Sequence, residues 1–499
     1  MDIFQNLATG FIGAATPINL GLCLIGCLLG TLIGVLPGIG PIATIAMLLP
    51  ITYGLSPLGA LIMLAGIYYG AQYGGSTTAV LVNLPGESSS VVTCLDGYQM
   101  AQNGRAGAAL TVAALGSLFA GCVGTLLLAA FAPILASFAE QFRSPEYFAL
   151  MLFGLVAAVV LASGSVVKAI AMVLLGLLFG LVGTDVSSGV TRYGFGVPEL
   201  YDGIDFVPVA VGLFGLAEIM SNLDKREDAG GRHVVARVGS LWPTREETRR
   251  AIPAVLRGTT VGSLLGILPG GGAVLASFAA YTLEKKISKT PEIFGKGAVE
   301  GVAAPEAANN AGAQTSFIPL LTLGIPSTPV MAIMVGAMMI QGIAPGTALI
   351  KDRPDLFWGI VASMWIGNVM LVIINLPLIG LWVKLLNVPY RILFPIILVL
   401  CCVGTYSTGN ATTLVVMLAL FAVLGYVFVK LGCETAPFLL GFVLGPLMEE
   451  NLRRSMVISF GDPMIFLQRP ISLGILVVTL GLVALIVLPT FRKTREVAF

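Results

Sequence analysis

The residues best equipped for chemistry lie in two polar stretches set into apolar sequence. The first runs Ser76-Thr77-Thr78 and, after a short apolar piece, Asn83-Leu84-Pro85-Gly86-Glu87-Ser88-Ser89-Ser90. The second carries Glu306, Asn309, Asn310, Gln314, Thr315 and Ser316, then Gly324-Ile325-Pro326-Ser327-Thr328. Asn83, Ser88, Ser89, Ser90, Asn309, Asn310, Gln314, Ser327 and Thr328 can all donate hydrogen bonds to a carboxylate anion. Ser76, Thr77, Thr315 and Ser316 offer oxygens to a cation such as sodium, as do carbonyls freed where a helix breaks. No cofactor is expected, and no metal beyond such a transported ion. Glu87 and Glu306 stand beside the patches, where a carboxylate can couple an ion, cap a helix or mark the water boundary. Arg105 and Lys351 are candidate cations for an anionic ligand, and both read as solvated or interfacial. The competing reading of the patches is polar contact between helices and turn chemistry.

These patches must be positioned by the elements before them, and those elements repeat. Gly26, Gly30, Gly34 and Gly38 recur every four residues in GCLLGTLIGVLPGIG (26–40), and Gly258, Gly262, Gly266 and Gly270 do so in GTTVGSLLGILPGGG (258–272). A spacing of four places the glycines on one helix face, where another backbone can come close. The Pro-Gly ends then break each helix. Gly38, Gly40, Gly270 and Gly272 sit at the breaks, as hinges or points of approach to a ligand. Aligning Asn83-Leu84 with Thr322-Leu323 extends the repeat and pairs Ser88-Ser89 with Ser327-Thr328, a shift of 239. Gly176 and Gly183 match Gly425 and Gly432.

Composition sets the medium. Of 499 residues, 57% are hydrophobic and 11% charged, with mean hydropathy +0.95. Soluble domains carry about 25% charged residues, so this is a polytopic membrane protein in a lipid bilayer. A net charge of +1 leaves no footprint for nucleic acid. The first Lys or Arg is Arg105, so no basic region precedes the first apolar run, and that run is expected to stay as a span. A single His excludes an HExxH zinc site, and neither a GxSxG elbow nor a Walker loop occurs. Tyr201-Asp202 and Phe460-Gly461-Asp462 loosely resemble the paired carboxylates of intramembrane aspartyl proteases, although Ser459 stands where that signature wants Gly. An aspartyl hydrolase on Asp202 and Asp462, and a passive anion channel, are the alternatives to a carrier.

The pattern predicts an all-α fold of about 10–14 transmembrane segments, in two homologous repeats with broken helices or re-entrant hairpins. Residues 1–220 form the first repeat, 221–250 a charged cytoplasmic linker and 251–499 the second repeat. The linker's seven Lys and Arg place it inside. The lack of Lys and Arg before Arg105 turns the N-terminus outward and points to inverted repeats, whereas the basic tail also reads as cytoplasmic, which strict inversion does not predict. Paired interruptions in corresponding places of two halves point to a transport site.

The ladders, LVNLPGESSSV (81–91), APEAANNAGAQ (304–314) and LTLGIPSTPV (321–330) together resemble a known family. The chain is similar, over essentially its whole length, to the large TctA-type membrane subunit of bacterial tripartite tricarboxylate transporters. That resemblance implies a secondary carrier in the bacterial inner membrane, without ATP, driven by an ion gradient that is commonly sodium. It implies two partners: a small TctB-type membrane subunit, and a periplasmic TctC-type binding protein that delivers citrate or another carboxylate. By analogy of architecture it implies an elevator-like transport domain.

Overall fold

The computed structural model describes residues 3–36, 40–139, 141–162, 165–185, 188–226, 238–268, 272–385 and 390–487. Gly38 and Gly270 lie outside them. The architecture is almost entirely helical, with one two-stranded antiparallel ribbon pairing Gly183–Thr184 with Thr191–Arg192. The first half holds α1 (Ile3–Ala14), α2 (Pro17–Val35), α3 (Pro41–Thr52), α4 (Pro57–Val82), α5 (Val91–Gln102), α6 (Ala106–Ala139), α7 (Ser144–Leu161) and α8 (Val166–Gly180). A helical rod over 206–226 closes it as α9 (Phe206–Ala210), a π-helical middle (Val211–Leu216) and α10 (Ala217–Arg226). The second half holds α11 (Arg245–Ile267), α12 (Gly272–Ile287), α13 (Glu300–Thr315), α14 (Phe317–Leu323), α15 (Pro329–Ile340), α16 (Thr347–Asp352), α17 (Pro354–Asn375) and α18 (Ile379–Leu385). It ends with α19 (Tyr390–Gly409), α20 (Thr412–Lys430), α21 (Thr435–Ile458), α22 (Ile465–Gln468) and α23 (Pro470–Val487).

Four described helices are long and apolar enough to cross a bilayer: 17–35, 106–138, 354–375 and 412–430. Seven shorter apolar helices accompany them. The stretch 107–139, readable as one helix or two, is one helix that passes through Pro133.

Helix starts follow local chemistry. The Thr16 hydroxyl accepts from Asn19 N ahead of Pro17, and Ser56 does the same for Gly59 N ahead of Pro57. Each hydroxyl satisfies an amide that the first turn leaves unpaired, and each Pro fills a position that needs no donor. Helix α11 starts on a reciprocal Thr244–Glu247 capping box.

The glycine ladders are packing faces, and the two pack alike. A Cβ added at Gly26, Gly30 or Gly34 would overlap the carbonyl oxygen of Met63, Ile67 or Ala71 on α4. At Gly258, Gly262 or Gly266 it would overlap that of Ala304, Ala308 or Gly312 on α13. Backbone therefore meets backbone, which only glycine permits on the ladder side. The partner residues are related by a constant shift of 241. Asn83 and Gly324, both left-handed at a helix end (φ 57° and 73°), obey it too.

Two expectations are corrected here. The register between the halves is 241 rather than 239, so Ser327-Thr328 corresponds to Gly86-Glu87 and not to Ser88-Ser89. The polar patches are also not breaks. Residues 70–78 lie inside the unbroken α4, and 305–315 lie inside α13. The chain interrupts after them, at 83–87, and at Ser316 and 324–328. Asn, Ser and Gly are poor helix formers, but burial against another backbone leaves their amides only the helical partner.

Gly176 and Gly425 mark a second correspondence. Gly176 of α8 meets Phe438 of α21, whereas Gly425 of α20 meets Leu213 of the 206–226 rod. The 206–226 rod of the first half thus packs on α20 of the second, and α21 of the second half packs on α8 of the first. The Arg105–Glu247, Arg250–Glu300 and Arg257–Glu284 pairs tie α11 to α6, α13 and α12. Arg105 is therefore committed to Glu247, with Nε 3.1 Å from Oε1. Lys351 is exposed on α16.

Candidate functional site

Helix α4 carries Tyr68, Gln72 and Ser76, and α13 carries Glu306, Asn309, Asn310 and Gln314. All are buried, and Glu306 has no exposed surface at all. The interruption after α4 folds back as a short 3-10 turn (Ser88–Ser90) leading into α5. It returns Glu87 to α4, where Gly75 and Gly86 leave room: a Cβ at Gly75 would reach Glu87 Cγ at 2.9 Å.

Glu87 is the hub of the first tip. Its Oε1 accepts from Ser89 Oγ and from Asn309 Nδ2 (3.3 Å). In the orientation that satisfies its neighbours, the Gln72 amide donates to Glu87 Oε2 at 3.2 Å and to Asn309 Oδ1. Ser90 and Glu87 close a reciprocal cap, with Glu87 N donating to Ser90 Oγ at 3.3 Å. Asn83 and Ser88 are exposed.

Glu306 is the hub of a deeper cluster one turn away. Ser76 Oγ donates to its Oε2 at 2.5 Å, and Thr93 Oγ1 of α5 donates to its Oε1. Asn310 Nδ2 donates to Ser117 Oγ of α6 at 2.7 Å and to the Glu306 carbonyl at 3.1 Å. Neither Glu87 nor Glu306 has an ion pair among the described residues. Both carboxylates are met by hydroxyls and amides alone.

The second tip joins the same region. Ser327 Oγ donates to the Ser316 carbonyl at 3.3 Å. Thr328 caps α15, accepting from Met331 N at 3.2 Å. The Tyr68 hydroxyl faces Gln72, Ser316 and Thr328, and so links the halves. Gly272 begins α12 at φ 48°, and a Cβ there would meet Thr328 Cγ2 at 2.7 Å. Pro319 lacks the amide that would bond the Thr315 carbonyl, which explains the interruption at Ser316.

Of the residues proposed from sequence, Ser89, Asn309, Ser327, Thr328, Ser316 and Gly272 thus lie along one continuous region, and Ser76 and Asn310 lie in the cluster below it. Thr77 donates to the Tyr73 carbonyl, and Thr315 to the Ala311 carbonyl, so both hydroxyls are bound within their own helices. Gln314 is buried with neither amide atom bonded. Gly40 caps α3 in open surroundings, where an added Cβ would lie 4.0 Å from Glu218 Oε1. Thr93 and Ser117 escaped sequence reasoning. Ser117 left a usable trace, since it shares a helical face with Gly121 and Gly124 in an otherwise apolar run.

The family model described as "Tripartite tricarboxylate transporter TctA family" matches residues 20–440. The chain belongs to this family. A relative from Agrobacterium vitis, an "Uncharacterized 52.8 kDa protein in TAR-I ttuC' 3'region", is 60% identical over 500 residues, covering 100% of this chain and 99% of that protein. A second, an "Uncharacterized protein in TAR-II ttuC' 3'region" of the same organism, is 60% identical over 238 residues, covering 48% of this chain and 98% of that protein. No solved structure matches. Membership in the TctA family makes the chain a multi-pass membrane protein of a transporter family, in keeping with its apolar helices. In this TctA-family chain Asp202 and Asp462 are exposed loop residues, and Asp462 accepts from Met464 N at 2.9 Å. A proton-sharing dyad needs two carboxylates forced together away from water, and neither residue has that setting.

Proposed function

We propose that this chain is the transport subunit of a secondary active carrier for a small carboxylate, with citrate or another tricarboxylate the first candidate. A cation gradient drives uptake, and sodium is the expected ion. A periplasmic TctC-type protein hands over the substrate, and a small TctB-type subunit accompanies the chain in the bacterial inner membrane. The substrate docks between the two tips, 83–90 and 324–328, and the loaded tips then move inward in an elevator-like step. Residues 1–220 and 251–499 act as the two inverted repeats of that machine, joined by the cytoplasmic 221–250 linker.

One observation carries this reading. The tips present hydroxyls, amides and the N-terminus of α15, all donors suited to an anion. Beside them stands Glu87, which has no cation partner among the described residues. An anion cannot settle against a carboxylate unless positive charge arrives with it. A coupling cation supplies that charge, so the absence of Lys and Arg from the tips is itself a reason for obligatory coupling.

The test is uptake of labelled citrate into proteoliposomes that hold this chain, its small subunit and its binding protein. Replacing Ser327 and Thr328 together with alanine removes two donors and should lower the initial rate about tenfold or more, as each hydrogen bond to a charged group contributes about 1.5–3 kcal/mol. Losing the Thr328 cap costs only about 1 kcal/mol of stability, so the variant should still insert. Wild-type rate in that variant removes the second tip from the site. Unsaturable uptake that ignores the binding protein would indicate a passive channel instead.

A further inference from the structure

An apolar groove runs along one stripe of α20. Thr413, Val416, Met417, Leu420 and Leu424 form its floor, and their helical spacing keeps them on one face. Phe179 of α8 and Val197, Leu200 and Ile204 of the segment before α9 complete its sides. The groove measures about 470 Å³, and among the described residues that line it none is charged and Thr413 alone is polar. Phe179 meets Phe421 of α20 edge to face, with ring centroids 5.8 Å apart, and so ties one wall to the floor.

The groove's position in the bilayer follows from the helices that carry it. Helix α20 is long and apolar enough to cross, and its outer face is bare, with Leu420 65% and Val423 56% exposed. Gly212 packs on Phe421 and Gly425 on Leu213, so α20 and the 206–226 rod run side by side in the same direction. The Thr413 end of the groove therefore lies beside Phe206, at the end of the molecule away from the linker. Tyr201, between the lining residues Leu200 and Ile204, is half-exposed there, as suits an aromatic at headgroup level. Eleven residues separate Thr413 from Leu424, which is about 16 Å of helix. The hydrocarbon of one leaflet is about 15 Å deep. The groove thus runs from the membrane boundary, where α20 begins, to near the midplane.

We propose that this groove binds one acyl chain of a membrane phospholipid from the leaflet away from the linker. Its length matches a single leaflet, and its apolar lining matches a hydrocarbon chain. Its volume decides against a helix of another chain. A helix is about 10–12 Å across, so 470 Å³ would hold little more than one turn of it. An acyl chain is thin enough to lie along the whole floor. The bound chain fills the space between α20 and the 197–204 segment. It thereby supports α20 where α20 packs on the rod, a contact between the two halves. Nothing in this inference depends on what the protein transports.

Native mass spectrometry of the full chain, released from nanodiscs of a single synthetic phosphatidylethanolamine, tests it. Wild type should retain one phospholipid per chain. Met417→Trp fills the floor and should lower that retention about tenfold, the loss expected when about two buried methylenes are displaced. Val423→Trp, on the same helix but outside the groove, should retain lipid as wild type does. Equal retention in all three, or none in wild type, overturns the proposal. A pairing of two chains that Met417→Trp abolishes, with no lipid retained, would give the groove to a partner helix and overturns it as well. A phosphatidylethanolamine with a photoreactive group midway along one acyl chain supplies a test on wild type alone, whether or not Met417→Trp inserts. Labelling should concentrate at 197–204 and 413–424. Labelling there no stronger than at the exposed Val477 and Val478 of α23 overturns the proposal.

Discussion

At the scale of single residues, Glu87 is proposed to decide whether an anion can bind alone. Glu87→Gln keeps the contacts to Ser89 and Asn309 and removes the negative charge. Citrate should then bind without sodium about tenfold more tightly than it binds wild type without sodium, a change of about 1.4 kcal/mol in the coupling free energy. Equilibrium binding with and without sodium reads this, and an unchanged sodium dependence would take Glu87 out of coupling. Gln314 makes a separate case. It is buried with both amide atoms unbonded, which costs about 1–3 kcal/mol. Gln314→Met should therefore raise the melting temperature in detergent, and should lower uptake if the amide serves substrate. The hydroxyl and amide residues were legible in the sequence because polar groups in apolar runs stand out. Thr93 was not, because its partner Glu306 lies 213 positions away and nothing local marks it.

At the scale of elements, the ladder is the firmest prediction from sequence and the firmest feature of the fold. Spacing alone implied backbone contact, and the contacts to Met63, Ile67 and Ala71 deliver it. Gly30→Val would drive a side chain into the Ile67 carbonyl and should cost more than about 3 kcal/mol, seen as loss of the folded fraction by size-exclusion chromatography. Gly21, with nothing within 4 Å, should accept alanine without effect. Equal tolerance at both positions would contradict the packing role. The helical state of the two patches was not legible, because propensity scales describe chains in water and these segments are buried in the fold. The register was misread by two residues for a related reason. Serines matched by type in sequence, whereas the helix ends at Asn83 and Gly324 are matched by backbone geometry.

At the scale of the whole molecule, the repeated ladder was visible and the contacts between halves were not. Gly176 and Gly425 were seen to correspond, but that one packs on α21 and the other on the 206–226 rod leaves no mark in a linear pattern. The contacts bear on the proposed function, because the proposed site draws on both halves: Glu87 and Gln72 from one, Asn309 and Thr328 from the other. The central claim is that a cation gradient moves a carboxylate through this shared site. It is tested most directly by loading proteoliposomes of the complete system and following labelled citrate under an inward sodium gradient. Accumulation that collapses when the gradient is dissipated is the predicted result. Accumulation that continues undiminished without the gradient would contradict it.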